Sequence, residues 1–72
     1  MTDQPINPTE HHYNLLAAMH DRIEDIDVYR KYLEQAEQEK HSAWAEIWRR
    51  MISDAEQSIE FIQAEVERRA SA

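Results

Sequence analysis

Three observations predict an all-α fold, an antiparallel helical hairpin. Glycine is absent, and the two prolines, Pro5 and Pro8, both precede residue ten. A chain with no easy left-handed positions is poorly suited to tight β-turns and strand bulges. Second, Trp44, Trp48, Met51, Ala55, Ile59, Ile62 and Val66 follow one another at steps of four, three, four, four, three and four residues, the spacing of one helix face. Third, a polar run from Glu37 to Ser42 interrupts the apolar pattern, as a connection between two helices does.

The first helix is predicted over about residues 8–39. Asn7 suits the cap, Pro8 the first helical position where a missing N–H costs nothing, and Glu10 falls three residues after Asn7 as in a capping box. Its apolar face reads Leu15, Leu16, Met19, Ile23, Ile26, Tyr29, Leu33 and Ala36. Residues 1–7 read as a polar leader, expected to be mobile. The second helix is predicted over about 43–69, with Ser42 as its cap. Its outer side carries Glu46, Arg49, Arg50, Glu56, Glu60 and Glu67. Asp27 to Lys31, Glu46 to Arg50 and Glu65 to Arg69 are favourably oriented pairs four residues apart, and Arg68 and Arg69 suit the negative end of the helix dipole. One domain is expected over 8–70. The alternative is a single continuous helix of about 60 residues, a coiled-coil rod about 90 Å long at 1.5 Å per residue.

Seventy-two residues bury little surface alone, and without cysteine neither disulfides nor thiolate metal sites can compensate. The apolar stripe, with Leu33, Trp44, Trp48, Met51, Ala55, Ile59 and Ile62 as its core or dimer seam, therefore predicts two hairpins pairing as a homodimer into a four-helix bundle. The formal net charge is −7, which argues against duplex nucleic acid or an anionic membrane and for a basic protein surface as partner. No stretch resembles a membrane span or a signal peptide, and the expected location is the cytoplasm.

The middle of the chain carries a resemblance. Tyr29-Arg-Lys-Tyr-Leu-Glu-Gln-Ala-Glu, followed by Trp44-Ala-Glu-Ile-Trp-Arg-Arg-Met-Ile-Ser-Asp-Ala-Glu, resembles the first helical pair of rubrerythrin-like members of the ferritin-like superfamily, over roughly residues 19–62. The resemblance implies the scaffold of a di-iron centre, with a glutamate in the first helix and a Glu-x-x-His in the second. Those places fall here on Arg22, Ala55 and Ser58, so the family's metal ligands are not matched. Glu24-Asp-Ile-Asp-Val-Tyr and Glu39-Lys-His41-Ser-Ala are similar to stretches of encapsulated ferritins, two-helix chains that dimerise. There the metal-binding pattern needs a carboxylate at position 38, which is Gln38.

Among candidate sites, Asp21, Glu24, Asp25 and Asp27 load the outer face of the first helix with negative charge and are the expected surface for a basic partner. His20, Glu24 and Asp27 share a face that can meet a divalent ion, although a solvated acidic face has the same pattern. Glu37 and His41, with Arg30 two turns earlier, form either a polar network near the turn or a His/carboxylate metal site at the dimer seam, taking iron, manganese or zinc. His11-His12 reads as a surface pair near the positive end of the first helix. Trp44 and Trp48 can stack on a ligand, but at this spacing they read as core or seam. No nucleophile setting and no phosphate-cradling glycine loop is present. The sequence thus predicts no enzyme and no cofactor. It predicts a small acidic helical homodimer that binds or regulates other proteins, as an accessory subunit or a phage-type inhibitor, with a minimal ferritin-like metal-binding protein as the alternative.

Overall fold

The structure, a computed structural model, describes residues 8–71, with side chains from Glu10 to Arg69. The leader and the Asn7 cap lie outside the described residues. Helix α1 spans Pro8–Gln38 and α2 spans Ser42–Ser71. At 1.5 Å per residue each is about 45 Å long, and the two pack against each other as a hairpin. The chain is not a rod.

The turn is built from backbone. The His41 N–H donates to the Ala36 carbonyl at 2.9 Å and the Lys40 N–H to the Glu37 carbonyl at 3.1 Å, the paired bonds of a Schellman cap. Lys40 takes the left-handed position of that cap, with φ 59°, where glycine is usual. The His41 carbonyl then accepts from the Ala45 N–H at 2.9 Å. His41 therefore ends one helix and caps the next, and Ser42, the cap expected from the sequence, is instead the first residue of α2.

The face of α1 that meets α2 runs through Leu15, Met19, Arg22, Ile26, Tyr29, Leu33 and Ala36, and that of α2 through Ala45, Trp48, Ile52, Ala55, Ile59, Ile62 and Val66. Both rows alternate steps of three and four, the heptad register of paired helices. Two corrections to the sequence reading follow. Leu16 and Ile23 are exposed rather than inward; the heptad place between Met19 and Ile26 falls on Arg22, which is itself exposed. On α2 the inner places fall to Ala45 and Ile52, while Trp44 and Met51 stand beside the row and remain 59% and 39% exposed. Leu33, Trp48, Ala55, Ile59 and Ile62 lie half-buried or buried in the single hairpin.

Ile26, Ala36, Ala45 and Ala55 are the buried apolar residues among those described. Three of the four are alanines; Ala36 and Ala45 flank the turn, where small side chains let the helices approach, and Ala55 lies midway along α2. The bulk is supplied by rings: Trp48 stacks on Tyr29 with centroids 5.7 Å apart, and Tyr32 lies 4.9 Å from the same indole, tilted by 52°.

The hairpin has two unlike flanks. On one, ion pairs tie the helices together, Glu37 to Arg49 at 2.9 Å and Arg30 to Glu56 at 3.8 Å. By helical register at 3.6 residues per turn, the other flank carries Val28, Tyr32, Trp44, Ile47 and Met51, all exposed. The paired residues at the far end of α2 are local, Glu65 accepting from Arg69 at 2.7 Å and also from Arg68. These bonds hold the Glu65 carboxyl below the usual glutamate range, the Arg69 bond contributing most.

Candidate functional site

Two clefts open along the apolar flank. The first lies at the turn end and has a volume near 220 Å³, lined by Tyr32, Gln35, Ala36, Glu39, His41, Trp44 and Trp48. Its shape follows from the turn. The Schellman cap folds His41 back toward Ala36, which brings the imidazole to 4.6 Å from the Trp44 ring. Glu39, the last residue before the left-handed Lys40, is held between the Gln35 amide, which donates to it at 3.1 Å, and the His41 Nε2 at 3.5 Å. Trp48 is fixed from behind by its stack on Tyr29, so the ring that floors the cleft is set by the hairpin interior.

The second cleft, near 330 Å³, sits midway along the helices and is lined by Arg22, Asp25, Tyr29, Met51, Asp54, Ala55 and Ser58. Arg22 pairs with Asp25 at 3.5 Å. This cleft gathers Arg22, Ala55 and Ser58, the three positions on which the ferritin-like resemblance places metal ligands. The groups present are a guanidinium, a methyl and a hydroxyl, and a fixed cation beside two aspartates takes the place a divalent ion needs. The set does not fit a metal.

Glu37 and His41 are drawn to different partners. Glu37 faces Arg49 on the ion-paired flank, and His41 faces Glu39 and Trp44 on the apolar one. Arg49 also reaches Glu46 at 3.5 Å, so the polar network near the turn is centred on an arginine. Among the described residues no group of three or more His, Asp or Glu stands close enough to hold a metal ion. His11 and His12 are exposed on the first turns of α1.

The four acids singled out on α1 are not equivalent. Asp21, Glu24 and Asp27 are exposed, whereas Asp25 is half-buried beside Arg22. Glu24 has the His20 imidazole 3.4 Å away. Among the described residues no helix is long and apolar enough to cross a membrane.

Tyr32, Gln35 and Glu39 belong to the turn-end cleft and were not singled out by the sequence. The signal was there in part: Tyr32, Gln35 and Glu39 are three and four residues apart on α1, and so share a side. What joins them to Trp44 is the turn, which no local spacing announces. Compared with family models, with curated proteins and with solved structures, the chain matches none of them.

Proposed function

We propose that this chain is a non-enzymatic association module, a helical hairpin that pairs with a second copy into a four-helix bundle and presents an acidic surface to a basic protein partner. The observation that carries the reading is the unfinished interior. The described residues include no large side chain that is fully buried, while Trp44, Ile47, Phe61 and Tyr13 are more than half exposed. A hairpin that leaves this much apolar area wet is completed by association.

The flank with Val28, Tyr32, Ile47 and Met51 is the face that pairs, because the opposite flank already satisfies itself through Glu37–Arg49 and Arg30–Glu56. The seam centres on Val28 and Met51, with Trp44 at its turn-end margin. Arg22, Asp25 and Asp54 supply a polar layer within it, of the kind that fixes register between helices. Asp21, Glu24 and Asp27 are exposed; by helical register Asp27 is turned away from Val28, whereas Asp21 stands two turns before Val28 on the same side, at the end of the seam away from the turn.

The test is charge reversal. Asp21→Lys, Glu24→Lys and Asp27→Lys combined should abolish salt-sensitive capture of basic proteins from a cell extract and leave far-UV circular dichroism unchanged. Capture that survives the triple reversal contradicts the partner reading.

A further inference from the structure

We infer that the turn-end cleft is a binding site for an organic cation, an alkylated ammonium or a guanidinium group. Three aromatic rings line it, those of Tyr32, Trp44 and Trp48, together with the His41 imidazole and one carboxylate, Glu39. The Tyr32 and Trp48 rings meet at 52°, so they form a corner rather than a flat wall. Trp44, 59% exposed, lines the same cleft with its ring 4.6 Å from the His41 imidazole. Aromatic faces attract cations through the ring quadrupole, tryptophan most strongly. Such a box favours weakly hydrated cations, because a compact metal ion loses more on leaving water than the rings return.

Glu39 adds the charge. Its carboxylate accepts from the Gln35 amide at 3.1 Å and has the His41 Nε2 at 3.5 Å, which place it among the lining residues with its side chain about half exposed. Nothing else lining the cleft carries a fixed formal charge. Lys40, although it stands between Glu39 and His41 in the chain, is not among the lining residues, nor are Lys31 and Arg49. The volume, near 220 Å³, is small for a folded peptide segment and suited to one ammonium or guanidinium head.

The site does not depend on pairing, and it shares with the partner reading only the sign of the charge recognised. It lies at the turn-end margin of the pairing flank, which Tyr32 and Trp44 share with it, and it is complete and open within a single hairpin. The cation can come from a side chain, an arginine or a methylated lysine, or from a small free ammonium compound, and the chemistry at the rings is the same.

The experiment is a titration of the intact protein with tetramethylammonium chloride, following the indole N–H resonances by NMR, with sodium chloride as the ionic control and tert-butanol as the neutral control of similar shape. Saturable movement of the Trp44 indole resonance with tetramethylammonium alone is the expected result. Glu39→Gln should weaken the affinity about threefold to tenfold, and Trp44→Ala should remove the response, assigning its resonance at the same time. A trimethyl-lysine peptide that binds more tightly than the free ion assigns the cation to a polypeptide, and equal affinity assigns it to a small molecule; both support the site. A response that tracks sodium chloride, equal binding of tert-butanol, or an unchanged affinity in Glu39→Gln overturns the proposal. A second copy seated over the cleft would leave Trp44 silent in a protein that is still dimeric, which overturns the site while the pairing stands.

Discussion

The Trp48 indole lies stacked on the Tyr29 ring across the hairpin, centroids 5.7 Å apart and planes 27° from parallel. This is the contact that joins the two helices where the small alanines do not. Ala36 and Ala45 bring the backbones together next to the turn, and one turn further along α2 the indole fills the widening gap. Tyr32 closes on the same ring from the exposed side, so one tryptophan connects the interior to the turn-end cleft.

Removing that ring should cost about 2–3 kcal/mol, at or just below the lower edge of the range for a buried aromatic truncated to alanine, since Trp48 is half-buried rather than fully enclosed. Trp48→Phe keeps a stacking partner for Tyr29 and should lose less than half as much. Urea denaturation at fixed protomer concentration, followed by far-UV circular dichroism, measures both. Equal losses for the two variants would show that area alone, and not the Tyr29 stack, fixes the hairpin.

Lys40 gives the opposite sign. A non-glycine residue at φ 59° crowds its Cβ against the following carbonyl oxygen, a cost of roughly 1 kcal/mol that glycine avoids. Glycine also loses more freedom on folding, so Lys40→Gly should stabilise the hairpin by about 0.5 kcal/mol net. Lys40→Val should destabilise it, because a β-branched side chain fits this position worst. Thermal melts of the three proteins should rank glycine above lysine above valine.

The far end of α2 should respond to acid. The Glu65 carboxyl is held below the ordinary glutamate value of 4.5, first by its hydrogen bond with Arg69 and then by that with Arg68. A depressed folded value means that the carboxylate contributes its stabilisation fully above about pH 4.5 and loses it as pH falls through the folded value. The C-terminal turns of α2 should therefore fray on acidification in that window while the stacked centre of the hairpin persists. A carboxyl-carbon NMR titration should place the Glu65 midpoint below the ordinary glutamate value, and Arg69→Gln should raise it.

Much of this architecture can be read from residues alone. The missing glycines, the Pro8 start and the polar run from Glu37 to Ser42 announce two helices and the turn between them, and the helices end within a few residues of where those signals stand. The inner register of α2 is harder, because hydropathy weighs a tryptophan above an alanine. That weight draws the stripe through Trp44 and Met51, whereas close helix approach selects the small Ala45 and the adjacent Ile52. Arg22 conceals the register of α1 in the same way: a charged residue in a heptad place looks like the outer face, and Ile23 beside it looks like the core. The turn-end cleft is the least legible feature. It depends on the left-handed Lys40, a residue type that does not mark such a position, and on the three-dimensional return of α2 that places Trp44 beside Tyr32 and Glu39.

The central claim is that one hairpin does not complete a core and that a second copy finishes it along the flank of Val28, Ile47 and Met51. Native mass spectrometry of the protein at micromolar concentration tests it most directly, alongside Met51→Lys, which places a charge at the centre of the proposed seam without touching the inner row. The account predicts a dimer for the unaltered chain and a helical monomer for the variant. A monomeric unaltered chain, or a dimer that Met51→Lys leaves intact, would contradict it.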